Sequence, residues 1–272
     1  MSMGLDYLAA RLHGRRSRLA EAERLDALAQ LRTFSDLERI CLATPGYHTT
    51  TEFQHLLIRN WVSELTAFLP HLSGPEAGLI AWLPTRFDNR PQPFFTEAAM
   101  DRDYFRELLH RAQAIRGEDG HRIRTLFTLE VDAFHMMLAI RGRFHYHLTA
   151  ESLMPMHVEG TRIPHKRFAA MLAAPDITSA AALARGRAWE GAPGTGDPSA
   201  LEAMIGNGYL HLANRIFRRS HTGFGVVVGY LGIRRVEIAN LTTISEGLRI
   251  GIAGDSILHR LIPRTLGEAL HA

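Results

Sequence analysis

GFGVVVGYLGIRRVEIANLTTISEGLR, residues 223–249, is the stretch from which the fold can be read. Val226, Tyr230, Ile233, Glu237, Asn240 and Ile244 recur at alternating intervals of four and three, so they share one face of a helix. Val227, Leu231, Ile238 and Leu241 make the adjoining face apolar too, which predicts a deeply buried helix, and the β-branched triplet Val226–Val228 lies inside that stripe. Glu237 and Asn240 therefore sit where an unpaired charge would cost several kcal/mol. Both need partners, and the arginine-rich ends of the chain are the expected source. A general acid/base or a metal carboxylate is the functional reading of Glu237. A structural buried ion pair is the simpler one, because no second carboxylate or histidine shares the face.

Outward from this helix the period stays helical. A second long helix is predicted over 125–144, and its Asp132-x-x-His135 followed by Gly142 matches Glu237-x-x-Asn240 followed by Gly247 at an offset of 105. Two long helices of one pattern, each followed by short helices, suggest an internal duplication. The first helix, with Asp6 and arginines after it, is a looser third candidate. Leu5, Leu8, Leu12 and Leu19 form its stripe, and Leu25, Leu28, Leu31 and Phe34 form the next. Capping boxes are expected at Ser35–Glu38, Ser73–Glu76 and Ser199–Glu202. A long helix is expected over 52–69, one over 100–115, and short ones over 148–156, 167–173 and 179–185. Residues 84–96 hold three prolines and read as a linker, Gly117–Gly120 as a turn, and 186–198 as a loop. With no strand–helix alternation and no hairpin signal, an all-α protein is predicted.

The 272 residues suffice for one large domain or two to three small ones. Composition is ordinary for a globular chain, at 46% hydrophobic and 22% charged residues. Cys41 is the lone cysteine, which excludes an internal disulfide framework. The longest nearly unbroken apolar run, Gly223–Ile233, is short of the roughly 20 residues of a membrane span, and a soluble, intracellular protein is expected. Net charge is only +3 but unevenly placed. Arg11, Arg15, Arg16 and Arg18 face only Asp6 in the first 20 residues, and 211–264 hold eight arginines against three carboxylates. Basic ends on an acidic middle point to association with an acidic partner, and Arg11, Arg15, Arg16 and Arg18 are the candidate partner interface.

Catalytic signatures are missing. Fifteen histidines invite a metal reading, yet His145, His147 and His157 fall in no zinc or di-iron spacing. The glycine-rich loop lacks the lysine of a phosphate loop, and no serine nucleophile elbow occurs. Aromatic residues are not interleaved with basic ones, so a nucleic-acid platform is not expected. Neither a cofactor nor a small-molecule substrate is called for.

The opening DYLAARLHGRRSRL resembles the start of the C-subunit family of V-type and archaeal-type (A-type) ATPases, whose members in eukaryotic vacuolar pumps are termed d. Tyr7, Leu8, Ala10, Arg11, Arg16, Ser17, Arg18 and Leu19 carry that likeness. Tyr230, Leu231, Glu237, Asn240 and Leu241 resemble the family's C-terminal signature, and Glu130, Asp132 and Arg141 its internal helix. His135 stands where the family usually has Asn. Asp132 and Arg141 thus join Glu237 and Asn240 as expected buried polar residues. One departure is the segment WLPTRFDNRPQPFF, where prolines interrupt the family's helix and leave Asp88, Asn89 and Arg90 as its remnant.

The resemblance implies a funnel-shaped, all-helical protein of three similar parts about a pseudo-threefold axis, divided here as 1–90, 91–198 and 199–272. It further implies a non-catalytic socket on the cytoplasmic face of the membrane, joining the rotor ring of a proton- or sodium-translocating rotary ATPase to its central shaft. Two other readings compete. One is a free-standing all-α adaptor with another partner. The other is a helical metal-dependent hydrolase built on His145, His147, His157 and Glu159.

Overall fold

Apolar residues spaced three and four apart give helices throughout. The computed structural model describes residues 3–21, 23–42, 46, 48–87, 93–184 and 198–262, without the side chains of residues 199 and 200. Among these residues every regular element is helical. The first stretch holds α1 (Met3–Arg16), α2 (Glu23–Ala29), α3 (Phe34–Cys41), α4 (Thr50–Phe68) and α5 (Gly74–Trp82). The middle holds α6 (Phe94–Gln113), α7 (Gly117–Ala139), α8 (Ala150–Leu153), α9 (His165–Leu172) and α10 (Ile177–Ala184). The last holds α11 (Pro198–Arg219), α12 (Phe224–Arg249) and α13 (Gly254–Leu258).

Several boundaries differ from the sequence reading, for local reasons. Thr33, not Ser35, caps α3, its hydroxyl accepting the Asp36 N–H at 3.2 Å. The reciprocal capping box lies at α4, where Thr49 accepts the Glu52 N–H at 3.2 Å and Glu52 accepts the Thr49 N–H at 2.7 Å. Ser73 makes no side-chain cap, and α5 starts instead with proline in its first turn. Gly117 to Gly120, expected as a turn, opens α7; Gly117 at φ +74° turns the chain in one residue. Beyond Ala139 the helix widens into a π-helical segment, Ile140–His145. Of the expected linker, residues 84–87 belong to a 3-10 turn, Leu83–Phe87, and 94–96 already to α6. Asp88, Asn89 and Arg90, the loop over 186–197 and the Ser199 side chain lie outside the described residues.

The offset of 105 is structural. The short turns 114–116 and 220–223 make hairpins of α6 with α7 and of α11 with α12. A Cβ on Gly120 would strike the Ile115 carbonyl, and one on Gly225 the Ser220 hydroxyl, five residues back in both cases. A Cβ on Gly142 would lie 2.8 Å from Leu153 Cδ1, and one on Gly247 2.7 Å from Ile257 Cδ1, so α8 and α13 seat alike. Residues 3–87, with two short helices between two longer ones, follow neither copy.

Buried apolar side chains gather in three cores, and α12 runs through two. The largest joins α1, α4 and α5 to both hairpins; the second lies under α8, α9 and α10. The third packs Leu25, Leu37, Phe53 and Leu57 against Leu241, Ile244 and Ile257, so early and late parts of the chain share it. Helices α11 and α12 approach backbone to backbone: a Cβ on Gly229 would lie 2.6 Å from the Phe217 nitrogen. Among the described residues no helix is long and apolar enough to cross a membrane.

Candidate functional site

Burial along α12 forces its polar residues to find partners, and two successive arginines find them on opposite sides. Arg234 pairs with Glu237 one turn on and with Glu64 of α4 at 3.5 Å, and Glu64 in turn meets Arg15 of α1 at 3.8 Å. Burial alone would lower the Arg234 pKa, but Glu237 and Glu64 hold it above its ordinary value. The other Glu237 oxygen accepts the Ala20 N–H at 2.5 Å, fixing the chain just after α1. Asn240 grips Ile262 twice, accepting its N–H at 2.8 Å and donating to its carbonyl at 3.1 Å.

Arg235 turns to the other hairpin and pairs with Glu130 of α7. Glu130 also receives Arg86 at 3.3 Å, and Arg86 forks onto Asp101 of α6 at 2.9 and 3.1 Å. Phe105 lies under the Arg86 guanidinium at 4.7 Å and Tyr209 under that of Arg235 at 5.8 Å. Burial, then the Glu130 charge, pushes the Tyr104 and Tyr209 hydroxyls up, so both stay neutral. This network lines a small cleft among α4, the 3-10 turn Leu83–Phe87, α6, α7, α11 and α12. With two arginines against two carboxylates, all engaged with one another, it binds the two hairpins together and offers no free acid or base.

Helix α7 repeats the grip on the loop that leads into α9. Asp132 accepts the N–H groups of Arg162 and Ile163 at 3.1 and 3.2 Å, and His135 Nε2 accepts that of Val158 at 2.9 Å. Burial raises the Asp132 carboxyl to about 6, opposed by Arg162 and the loop N–H groups. Burial, then the neighbouring His157, lowers His135 to about 3. The two imidazoles stack with centroids 4.7 Å apart. Two more carboxylates serve the same end. Asp119, in the first turn of α7, accepts the Gly225 N–H at 2.9 Å and so caps α12. Glu38 accepts the Gly46 and His48 N–H groups at 3.0 and 3.1 Å.

The expected site residues divide accordingly. Glu237, Asn240 and Asp132 are buried. Arg141, expected to be buried, is instead exposed and pairs with Glu202, because nine residues on from Asp132 it lies half a turn away on the opposite face. Glu237 takes its charge from Arg234 on its own helix, within the arginine-rich late part of the chain. Of the candidate interface, Arg15 and Arg16 are half-buried and spent internally, Arg15 on Glu64 and Arg16 on Glu21 and Asn214. Arg11 and Arg18 are exposed.

Nor does the fold bring the hydrolase residues together. His145, His147 and Glu159 are exposed, and His157 Nε2 is bound to the Ile163 carbonyl at 2.9 Å. Among the described residues no group of three potential ligands is placed to hold a metal ion. Sequence reasoning missed Arg86, Asp101 and the Glu130–Arg235 pair. One signal was available, since Glu130 and Arg235 are themselves 105 residues apart and therefore occupy equivalent positions in the two hairpins.

No curated protein matches the chain. Residues 83–260 match the family model of the ATP synthase (C/AC39) subunit, a span that contains both hairpins and every member of the Arg235 network. The chain belongs to that family. As a C/AC39 subunit it is one component of an ATP synthase complex. The family resemblance read from Tyr7–Leu19 lies ahead of the matched span, whereas the motifs around Asp132 and Glu237 lie within it.

Proposed function

We propose that this C/AC39 subunit is a non-catalytic coupling piece, seated on the cytoplasmic face of the membrane between the rotor ring of a proton- or sodium-translocating ATPase and its central shaft. The observation that carries the reading is the family match over 83–260, which covers both hairpins. The internal chemistry fits. A body that passes torque between two partners must resist shear, and buried, mutually oriented ion pairs fix relative geometry where apolar contacts alone can slide. Arg234 and Arg235 lock α12 to α4 on one side and to α7 on the other. In this reading the division into 1–90, 91–198 and 199–272 separates two hairpin-bearing parts, 91–198 and 199–272, from a first part of different helix order, and the apolar cores cross it.

Affinity purification of the tagged protein from gently solubilised membranes of its own host tests the role. Recovery together with rotor-ring and central-shaft subunits is the expected result. Recovery without them, from cells that contain the pump, would replace the proposal with a free-standing helical adaptor.

A further inference from the structure

Two basic stretches separated by about two hundred residues meet in the fold. The end of α1 lies along the end of α11: Arg16 donates to Asn214 at 2.9 Å, the His13 ring packs on Phe217 with centroids 4.7 Å apart, and His13 Nε2 reaches the His221 carbonyl at 3.1 Å. Beside this seam the outer face of α11 carries His211, Arg215 and Arg218, spaced four and three apart and hence in one row of about 10 Å. Arg215 and Arg218 are exposed, as is the next residue, Arg219. Among the described residues no carboxylate lies within ion-pair distance of these three arginines, and Arg215 meets only His211, at 2.8 Å. Burial, then the charges of Arg215 and Arg218, lowers the His211 pKa. On the α1 side of the seam Arg15 and Arg16 are already paired.

We propose that the row His211–Arg215–Arg218 of α11, flanked by His13 of α1, is a docking surface for an acidic helix of a protein partner. The chemistry favours a protein over a bilayer. Arginine forks onto carboxylates, whereas a membrane-bound face needs apolar anchors as well as charge. Among the described residues the exposed large apolar ones are Tyr7, Ile40, Phe87, Phe95, Tyr146, Leu183 and Ile250, and none belongs to α11 or to the segment 11–21. The same absence of exposed rings leaves no platform on which nucleic-acid bases would stack. The row also moves the interface expected at Arg15 and Arg16, which are occupied, onto a helix whose arginines are open. The inference rests on the coupling reading for the partner being a fellow subunit, and on the geometry alone for the partner being acidic.

The test uses the purified full chain and Arg215→Glu/Arg218→Glu, with Arg59→Glu/Arg106→Glu as a control of equal charge change elsewhere. All four sites are exposed, so the variants are expected to melt like the parent; Arg215→Ala/Arg218→Ala serves if the reversal does not. The probe is a fluorescent helical peptide with glutamates at i, i+3 and i+7, set against the same composition scrambled and against phosphatidylglycerol vesicles. The expected result is salt-sensitive binding of the ordered peptide, weakened about tenfold or more by the α11 reversal and unchanged in the control. Equal binding by parent and α11 variant overturns the surface. Vesicle binding lost in the α11 variant overturns the choice of a protein partner. In host pull-downs, wild type recovered with pump subunits and the α11 variant recovered equally well would sink this inference and leave the coupling role standing. Wild type recovered without them sinks the coupling role, while the peptide result still decides the surface.

Discussion

Helices α7 and α12 hold the same place in two copies of one hairpin, yet they close their copies by different means. Both present an acidic residue followed three positions later by a second polar side chain, and both use that pair to hold backbone N–H groups of a distant segment. In α7 the pair is Asp132 and His135, both able to titrate, and the loop held is 158–163, which follows the short helix α8. In α12 it is Glu237, neutralised by Arg234, and Asn240, which carries no proton to gain, and what they hold are Ala20 and Ile262. One copy is closed locally; the other draws together parts of the chain remote in sequence. Two hairpins of like pattern thus keep the positions of their polar grips and differ in what they grip.

The comparison breaks most severely at the helix–helix contact. The α11–α12 approach depends on glycine, whereas the positions 105 residues earlier are Arg124 and Phe127, so α6 and α7 pack through side chains. Gly229→Val, which drives atoms into the Phe217 backbone, is expected to cost well over 3 kcal/mol and to leave no cooperative melt. A variant that melts like the parent would mean that the two hairpins pack alike after all.

Next in size is the Arg234 lock. Glu237→Ala strips a buried arginine of its nearest carboxylate and frees the Ala20 N–H, an expected loss of about 3 kcal/mol in urea unfolding. A loss below about 1 kcal/mol would show that Glu64 alone suffices.

Acid separates the copies. Asp132, raised from 3.8 to about 6, contributes stability that is full below 3.8 and lost as pH rises through 6. His135, lowered from 6.5 to about 3, contributes stability that is present above 6.5 and lost as pH falls toward 3. Between pH 6 and 4 the two oppose each other, so the α7 grip is nearly flat there. Melting temperatures across that range should therefore fall more steeply in Asp132→Asn than in wild type and rise in His135→Asn. Parallel curves would remove the titrating pair as the point of difference. The smallest effect belongs to Arg141→Ala, within about 0.5 kcal/mol of wild type by the same melts, because its pairing with Glu202 is in solvent.

Periodicity made α12 legible because a buried face repeats along one helix and needs no knowledge of what packs on it. The burial of Glu237 and Asn240 could be read in the same way, and so could the offset of 105, whereas that of Asp132 was expected from the family resemblance. Partner identity could not, since it depends on which segment the fold returns to that turn. The backbone of Ala20 leaves no residue-type signal for such a contact. Arg141 misled because its burial was expected from the resemblance alone, whereas nine residues on from Asp132 the helix has turned to its opposite face. Arg86 was hidden among prolines that read as a linker, although a 3-10 turn suffices to aim it at Asp101 and Glu130.

Arg234 and Arg235 also limit how this gene can vary. Adjacent residues on a helix point about 100° apart, and here each direction ends in a different carboxylate. Adding or losing one codon between the Gly229 contact and Asn240 would turn everything downstream by that angle, aiming the arginines at apolar neighbours and moving Glu237 off Ala20. Substitutions in this segment can be offset one at a time, but a change of length cannot. Comparison of many sequences should therefore find the segment varied in letters and constant in length.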